Sequence, residues 1–253
     1  MSQSTDLDLQ SQFQFQTIGI VHSCFKEKFG TPRQPGLVPA AIAELELLPP
    51  YNRIESLEGI EGFSHLWIQF VFHQCLREHL HSKKWKPMVK PPRLGGKEKV
   101  GVFASRSTFR PNPIGLSVVE LIAVNHDRES GKLVLQIRGA DLIDGTPVLD
   151  IKPYLTYADR IDNARSGFAP AAPNKISVQF SAEAEQFCQQ YYTAQGYDLR
   201  ELVQQVLEID PRPAYYKDRV ADRLYGITLR DCEVKWGYNE ALNKIEVCYL
   251  LPI

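Results

Sequence analysis

One short segment of the chain concentrates residues that suit an anionic ligand. Arg106 to Gly115 reads RSTFRPNPIG, with two arginines, two hydroxyl side chains and two prolines spaced two apart. Each proline biases the residue before it, Arg110 or Asn112, toward extended backbone. A rigid, arginine-rich loop suits ligand binding, because a guanidinium group binds carboxylates and phosphates through two parallel hydrogen bonds. Arg106, Arg110 and Asn112 are therefore candidate binding residues.

A second segment is acidic. Asp141, Asp144 and Asp150 lie within ten residues, beside a Gly-Thr-Pro turn. Asp144 precedes Gly145, a strong turn signal, so its carboxylate could simply hold backbone amides. In the functional interpretation, one of these carboxylates faces a ligand hydroxyl, amine or cation. The sequence leaves both interpretations open.

The stretch from Lys83 to Arg110 is strongly basic. It carries nine Lys or Arg residues, Lys97 and Lys99 among them, against one acid, Glu98, while the whole chain has a net charge of −1. A local positive field of this kind favours a polyanionic partner such as nucleic acid. The interleaved Trp85, Phe103 and Phe109 could stack on unpaired bases, and the alternative is a solvated loop with core aromatics.

Other signatures are missing from the sequence. It has no G-x-G-x-x-G, Walker or G-x-S-x-G motif, and its six histidines have no metal-like spacing, so no metal site is expected. Five scattered cysteines, without a C-x-x-C pair, fit reduced thiols in the cytoplasm. No apolar run reaches membrane length, and the polar N-terminal stretch does not resemble a signal peptide.

The apolar pattern predicts the elements that position these segments. Alternation and turn residues predict a mainly β fold, as a small antiparallel β-barrel or a curled sheet without a Rossmann motif, followed by a small α+β domain. The predicted limits are a flexible tail at 1–12, a barrel domain at 13–160 and a C-terminal domain at 176–253. The predicted strands are 13–20, 63–73, 100–104, 116–124, 133–138, 148–151, 227–236 and 244–250, and the predicted helices are 182–192, capped by Ser181, and 199–209.

Several long motifs resemble one family. They are IGIVHS (18–23), FGTPRQPG (29–36), IEGFSHLWIQFVFHQ (60–74), PPRLGG (91–96), GVFASRSTFRPNPIGLS (101–117), DLIDGTPVLDIKPY (141–154) and DPRPAY (210–215). In this order they are similar to the tRNA-methyltransferase O (TrmO, TsaA-like) family.

The resemblance implies a function. It implies an S-adenosylmethionine-dependent homodimer with a non-Rossmann β-barrel. Its substrate would be N6-threonylcarbamoyladenosine, 3′ of the anticodon in threonine tRNAs, methylated at N6. The residues that would line the cofactor are Gln34, Pro35, Gly36, His73, Gln74, Arg106, Leu116, Asp141, Leu142, Ile143 and Asp144.

The reaction leaves the proton acceptor open. The attacking nitrogen must lose its proton, and Asp141, Asp144 and His73 are candidates to accept it. Arg106 or Arg110 would bind the threonine carboxylate, Lys97 and Lys99 the RNA phosphates. Phe70, Phe72 and Phe103 could form an apolar wall. Competing interpretations are a related methyltransferase with another substrate, a non-catalytic RNA-binding module and a metal-dependent hydrolase.

Overall fold

The barrel lies in the first half of the chain. The computed structural model describes residues 13–76, 86–212 and 223–253. The barrel strands are β1 (Gly19–His22), β2 (Ile42–Leu47), β3 (His65–Val71), β6 (Ile114–Asp127), β7 (Lys132–Arg138) and β8 (Thr146–Pro153), and β4 (Met88–Val89) and β5 (Val100–Gly101) form a separate ribbon. The six barrel strands are antiparallel and close in the order β1-β2-β7-β6-β3-β8, which leaves no open sheet edge.

Short helical turns punctuate the connections of the barrel. Residues 73–76 are helical directly after β3. The other turns are the 3-10 helices Ile54–Leu57, Ile60–Gly62, Pro92–Leu94 and Val102–Ala104, and the four-residue helix α1 (Thr156–Asp159).

The barrel core follows from the two-residue period of its strands. On β7, Leu133, Leu135 and Ile137 point inward and are fully buried, as alternation requires. On β6 the inward positions include Gly115, above which the Phe70 ring sits so closely that a Cβ atom would lie 2.3 Å from it. The core therefore requires glycine at this position.

The C-terminal unit (residues 176–253) combines a four-stranded sheet with two helices. The elements are β9 (Ser177–Phe180), α2 (Ala182–Gln195), α3 (Leu199–Glu208), β10 (Tyr225–Leu229), β11 (Cys232–Asn239) and β12 (Lys244–Pro252). The sheet order is β10-β11-β12-β9, with β9 parallel to β12. The Ser181 hydroxyl accepts a hydrogen bond from the Ala184 N–H (3.0 Å) and caps α2, as predicted.

The predicted fold class is confirmed: a mainly β chain with a closed barrel and a smaller α+β part. Two strand limits are wrong. Residues 13–17 are not in a strand, and Phe13 and Phe15 are exposed, so β1 begins only at Gly19. The predicted strand 100–104 ends at Gly101, because Val102 begins a 3-10 turn.

Three further differences concern a missed turn, a helical turn and a missed strand. The predicted strand 227–236 is two strands joined at Arg230 and Asp231, with Arg230 at a positive φ of 56°. His73 was predicted to end a strand and instead lies in the helical turn. The strand β2 was not predicted. The predicted tail at 1–12 and Lys83, Lys84 and Trp85 lie outside the described residues.

Replacing Gly115 with Ala will destabilise the barrel, because the new methyl group overlaps the buried Phe70 ring. We expect the free energy of unfolding to fall by about 1–3 kcal/mol in a urea titration. Gly237→Ala is the matched control, since Gly237 also lies in a strand and a Cβ atom there meets nothing within 4 Å. Equal losses in both variants would contradict this account of the core.

Candidate active site

Two loops meet through their backbones at one end of the barrel. The β1–β2 loop (residues 23–41) contains Gly36, whose N–H donates to the carbonyl of Gly139 at 2.8 Å. Gly139 begins the acidic loop (residues 139–145), which connects β7 to β8. Both glycines have positive φ, 75° and 72°, and a Cβ atom on Gly139 would lie 3.3 Å from the Gly36 Cα. The positive φ favours glycine at both positions, and the close approach favours it further at Gly139.

Asp141 lies two residues beyond this contact. The hydroxyl of Ser117, buried on β6, donates to its carboxylate at 2.6 Å. Burial raises the pKa of the Asp141 carboxyl group to about 6, while the Ser117 hydrogen bond and the positive charge of Arg106 oppose this rise. Asp141 therefore holds its proton to a higher pH than an ordinary aspartate.

A third loop joins this cluster through Arg106. The Arg106 guanidinium donates to the side-chain oxygen of Gln34, and its charge acts on Asp141. The structure thus brings together Gln34, Arg106 and Asp141, which lie on three separate loops.

Asp144 has a different environment from Asp141. One carboxylate oxygen accepts from the Ser23 N–H at 2.8 Å, and the other lies 3.0 Å from the Lys26 ammonium. The backbone N–H of Asp144 donates to the Phe25 carbonyl at 2.8 Å. Asp144 therefore fixes the start of the β1–β2 loop, which is the amide-holding interpretation of the turn.

His73 lies near Thr146, the residue that follows the acidic loop. Its Nδ1 is 3.5 Å from the Thr146 hydroxyl, which donates to the Ile143 carbonyl at 2.6 Å. Burial lowers the pKa of His73, and the positive charge of Lys28 lowers it further. The imidazole is therefore neutral at pH 7. Gln74 follows it, half-buried.

The remaining cofactor candidates differ in exposure. Leu116 is 52% exposed on β6, because alternation points it away from the inward-facing Ser117. Pro35 and Ile143 are half-buried. Leu142 is buried in the barrel core, so only its backbone can face a ligand.

The RNA-binding candidates lie mostly on the surface. Arg110 is half-buried and donates to the Ser105 carbonyl at 2.8 Å, so part of its guanidinium holds its own loop. Asn112, Lys97 and Lys99 are exposed.

The apolar wall predicted from Phe70, Phe72 and Phe103 is wrong in part. Phe70 is buried in the barrel core and cannot line a ligand site, whereas Phe103 is 71% exposed.

Sequence reasoning missed Ser117, Lys26 and Thr146 as partners of the site. A signal was available for Ser117, because a hydroxyl at an inward-facing position of a strand needs a polar partner. Lys26 and Thr146 have no comparable signal, since their contacts join segments far apart in the chain.

Two family models match the chain. The tRNA-methyltransferase O N-terminal domain matches residues 20–160, and the TrmO C-terminal domain matches residues 173–253. The chain belongs to the tRNA-methyltransferase O family. The resemblance predicted from the sequence is thereby confirmed.

Similar proteins agree with TrmO membership. The tRNA (adenine(37)-N6)-methyltransferase of Escherichia coli K12 is 47% identical over 233 residues, 91% of this chain and 95% of that protein. A protein of Pseudomonas aeruginosa PAO1, described as a putative S-adenosylmethionine-dependent methyltransferase, is 49% identical over 87% of this chain and 90% of its own. The crystal structure of TrmO from Pseudomonas aeruginosa has a TM-score of 0.77 at 40% identity, covering 95% of this chain and 99% of that one.

Two searches of residues 13–76, 86–212 and 223–253 gave negative results. No group of three or more His, Cys, Asp or Glu side chains there could hold a metal ion. No helix in the same residues is long and apolar enough to cross a membrane.

Replacing Ser117 with Ala will raise the pKa of Asp141 further above 6, because the lost hydrogen bond stabilises the ionised carboxylate. We expect a rise of roughly 1, measured from the carboxyl carbon shift in an NMR titration of aspartate-labelled protein. Ser130→Ala is the control, since the Ser130 hydroxyl bonds the exposed Asp127 instead of Asp141. It should leave the titration of Asp141 unchanged. A Ser117→Ala titration that superimposes on the wild-type curve would contradict the coupling.

Proposed function

We propose that this chain transfers the methyl group of S-adenosylmethionine to N6 of N6-threonylcarbamoyladenosine, 3′ of the anticodon in threonine tRNAs. Methyl transfer to tRNA is the activity that describes its family. One observation supports the placement of the site: Gln34, Arg106 and Asp141 converge where the two glycines meet.

The residues present fit S-adenosylmethionine. Gly36 is exposed, with open space where a Cβ atom would lie, and acidic Asp141 suits the cationic ammonium and sulfonium groups. The proposed binding residues are Gln34, Pro35, Gly36, His73, Gln74, Arg106, Leu116, Asp141, Leu142, Ile143 and Asp144. When bound, S-adenosylmethionine supplies an electrophilic methyl group. The chain must then orient the reacting groups and accept the proton of the attacking nitrogen.

Asp141 is the proposed proton acceptor. Its raised pKa of about 6 places its affinity for a proton near the operating pH, where general-base catalysis is most efficient. Asp144 suits this role less, because both its oxygens are engaged by Ser23 and Lys26. The neutral His73 is the second candidate.

The proposed RNA contacts are divided by charge and exposure. Arg106 or Arg110 would bind the carboxylate of the threonyl group, and the exposed Lys97, Lys99 and Asn112 would face the anticodon loop. Because Arg106 also bonds Gln34, it links the proposed cofactor and RNA surfaces.

The proposal extends to assembly and location. We place the barrel domain at 13–160 and the C-terminal domain at 176–253. A homodimer follows from the family resemblance. The cytoplasm is proposed because all five cysteines are free thiols, as a reducing compartment maintains them.

The decisive assay follows a labelled methyl group from S-adenosylmethionine to threonine tRNA with and without the threonylcarbamoyl group. We expect transfer only to the modified tRNA, at least about 100-fold above the unmodified one, because Arg106 or Arg110 would lose its carboxylate partner. Equal transfer to both would show that the methylated position is not the threonylcarbamoyl adenosine but lies elsewhere in the tRNA. Tight tRNA binding without cofactor affinity would favour a non-catalytic RNA-binding module.

Replacing Asp141 with Asn will lower kcat by about 10²–10⁴, because the amide cannot accept the proton. In the wild type, kcat should rise with pH through about 6 and then level off, since only the ionised carboxylate is competent. Both are measured at saturating substrates. Asp150→Asn is the control, because Asp150 lies on β8 and pairs with Lys152. If Asp141→Asn retains the wild-type kcat, Asp141 is not the proton acceptor and His73 becomes the proposed one.

A further inference from the structure

The β1–β2 loop is built into the core of the C-terminal unit. Phe25 is buried and forms an isolated β-bridge with Leu229 of β10. Val38 and Ala41, at the other end of the loop, belong to the same hydrophobic cluster as Trp236. The loop leaves and rejoins barrel strands, yet both its ends are buried among residues from the far end of the chain.

Two side chains of the C-terminal unit hold this loop at Ala40. The Tyr197 hydroxyl donates to the Ala40 carbonyl at 2.7 Å. The side-chain oxygen of Gln205, on α3, accepts from the Ala40 N–H at 2.7 Å. Both backbone polar groups of Ala40 are therefore satisfied by side chains of the C-terminal unit.

A path of backbone hydrogen bonds leads from this anchor to the candidate active site. The carbonyl of Ala41, the next residue, accepts from the Gly139 N–H at 2.9 Å. The Gly139 carbonyl in turn accepts from Gly36 at 2.8 Å. Asp141 follows two residues later. The geometry of the glycine contact is thus tied to the position of Ala40.

The first half of the loop is anchored to the same unit. The Arg230 N–H donates to the Cys24 carbonyl at 2.8 Å, and the Thr228 N–H donates to the Glu27 carboxylate at 3.2 Å. The ring of Phe29 stacks on Trp236 with 6.5 Å between centroids. Gln34 and Gly36 therefore lie on a span that is held on both sides.

We infer that Tyr197 and Gln205 are positioning residues for the methyl-donor site, which they set by fixing Ala40 and so the Gly36–Gly139 contact. The inference rests on the proposed function, because it assigns the β1–β2 loop to S-adenosylmethionine. Releasing Ala40 lowers the fraction of molecules whose loop is ready to bind. Apparent cofactor affinity falls by that fraction, while chemistry in the loaded site proceeds as before.

The test uses full-length protein carrying Tyr197→Phe, Gln205→Met or both. Each change removes one hydrogen bond to Ala40 and keeps most of the side-chain volume. For the double variant we expect the Kd and KM for S-adenosylmethionine to rise about tenfold, equivalent to about 1.4 kcal/mol. We expect kcat at saturating cofactor and the KM for tRNA to stay within about twofold of wild type. Hydrogen exchange at the Gly36 amide should accelerate in parallel.

Gln204→Met is the matched control. Gln204 precedes Gln205, is equally half-buried, and accepts a hydrogen bond from Arg200 of its own helix at 2.9 Å. It should leave cofactor affinity and Gly36 exchange unchanged. If the double variant does not fold, the single variants are used instead. Each is assayed at a temperature equally far below its own melting temperature.

The outcomes separate the two proposals. A wild-type chain that does not bind S-adenosylmethionine overturns the proposed function before any variant is compared. Wild-type binding with unchanged affinity in the Tyr197 and Gln205 variants overturns the positioning role alone. A higher KM for tRNA with unchanged cofactor Kd also overturns it, and assigns these residues to RNA contact.

Discussion

The backbone hydrogen bond from Gly36 to Gly139 is the contact on which the candidate active site depends. It joins two loops that are separated by most of the barrel sequence, and its close approach is favoured because Gly139 has no Cβ atom, which would lie 3.3 Å from the Gly36 Cα. With the loops in contact, Gln34 reaches the Arg106 guanidinium, and the same guanidinium acts on Asp141. A second backbone hydrogen bond, from the Gly139 N–H to the Ala41 carbonyl at 2.9 Å, joins the same two loops.

The two aspartates of the acidic loop show how surroundings divide one residue type into two roles. Asp144 is held by an amide and an ammonium group, which fix it as an anchor of the β1–β2 loop. The Asp141 carboxylate accepts a hydrogen bond from the Ser117 hydroxyl, and its burial favours the neutral form.

Much of the fold was readable from the sequence, and the site was readable only in part. Alternation located most barrel strands and the Ser181 cap, because these signals are local. It missed the turn at Arg230 and Asp231, which has no glycine or proline, and it missed β2, whose short alternating run contains alanine and glutamates with low strand propensity. The roles of Asp141 and Asp144 could not be separated, because Ser117, Ser23 and Lys26 approach them only in three dimensions.

The shared core also constrains the order in which the chain can acquire its structure. The barrel closes between β1 and β8, within the first 153 residues. The cluster around Trp236 needs Phe25 and Val38, and its hydrogen bond between Glu27 and Thr228 spans 201 residues. During synthesis, which proceeds from the N-terminus, the barrel can therefore form while Phe25 and Val38 still face solvent. Until the last strands leave the ribosome, this exposed apolar surface is open to chaperones and to aggregation, and the β1–β2 loop lacks its packing partners.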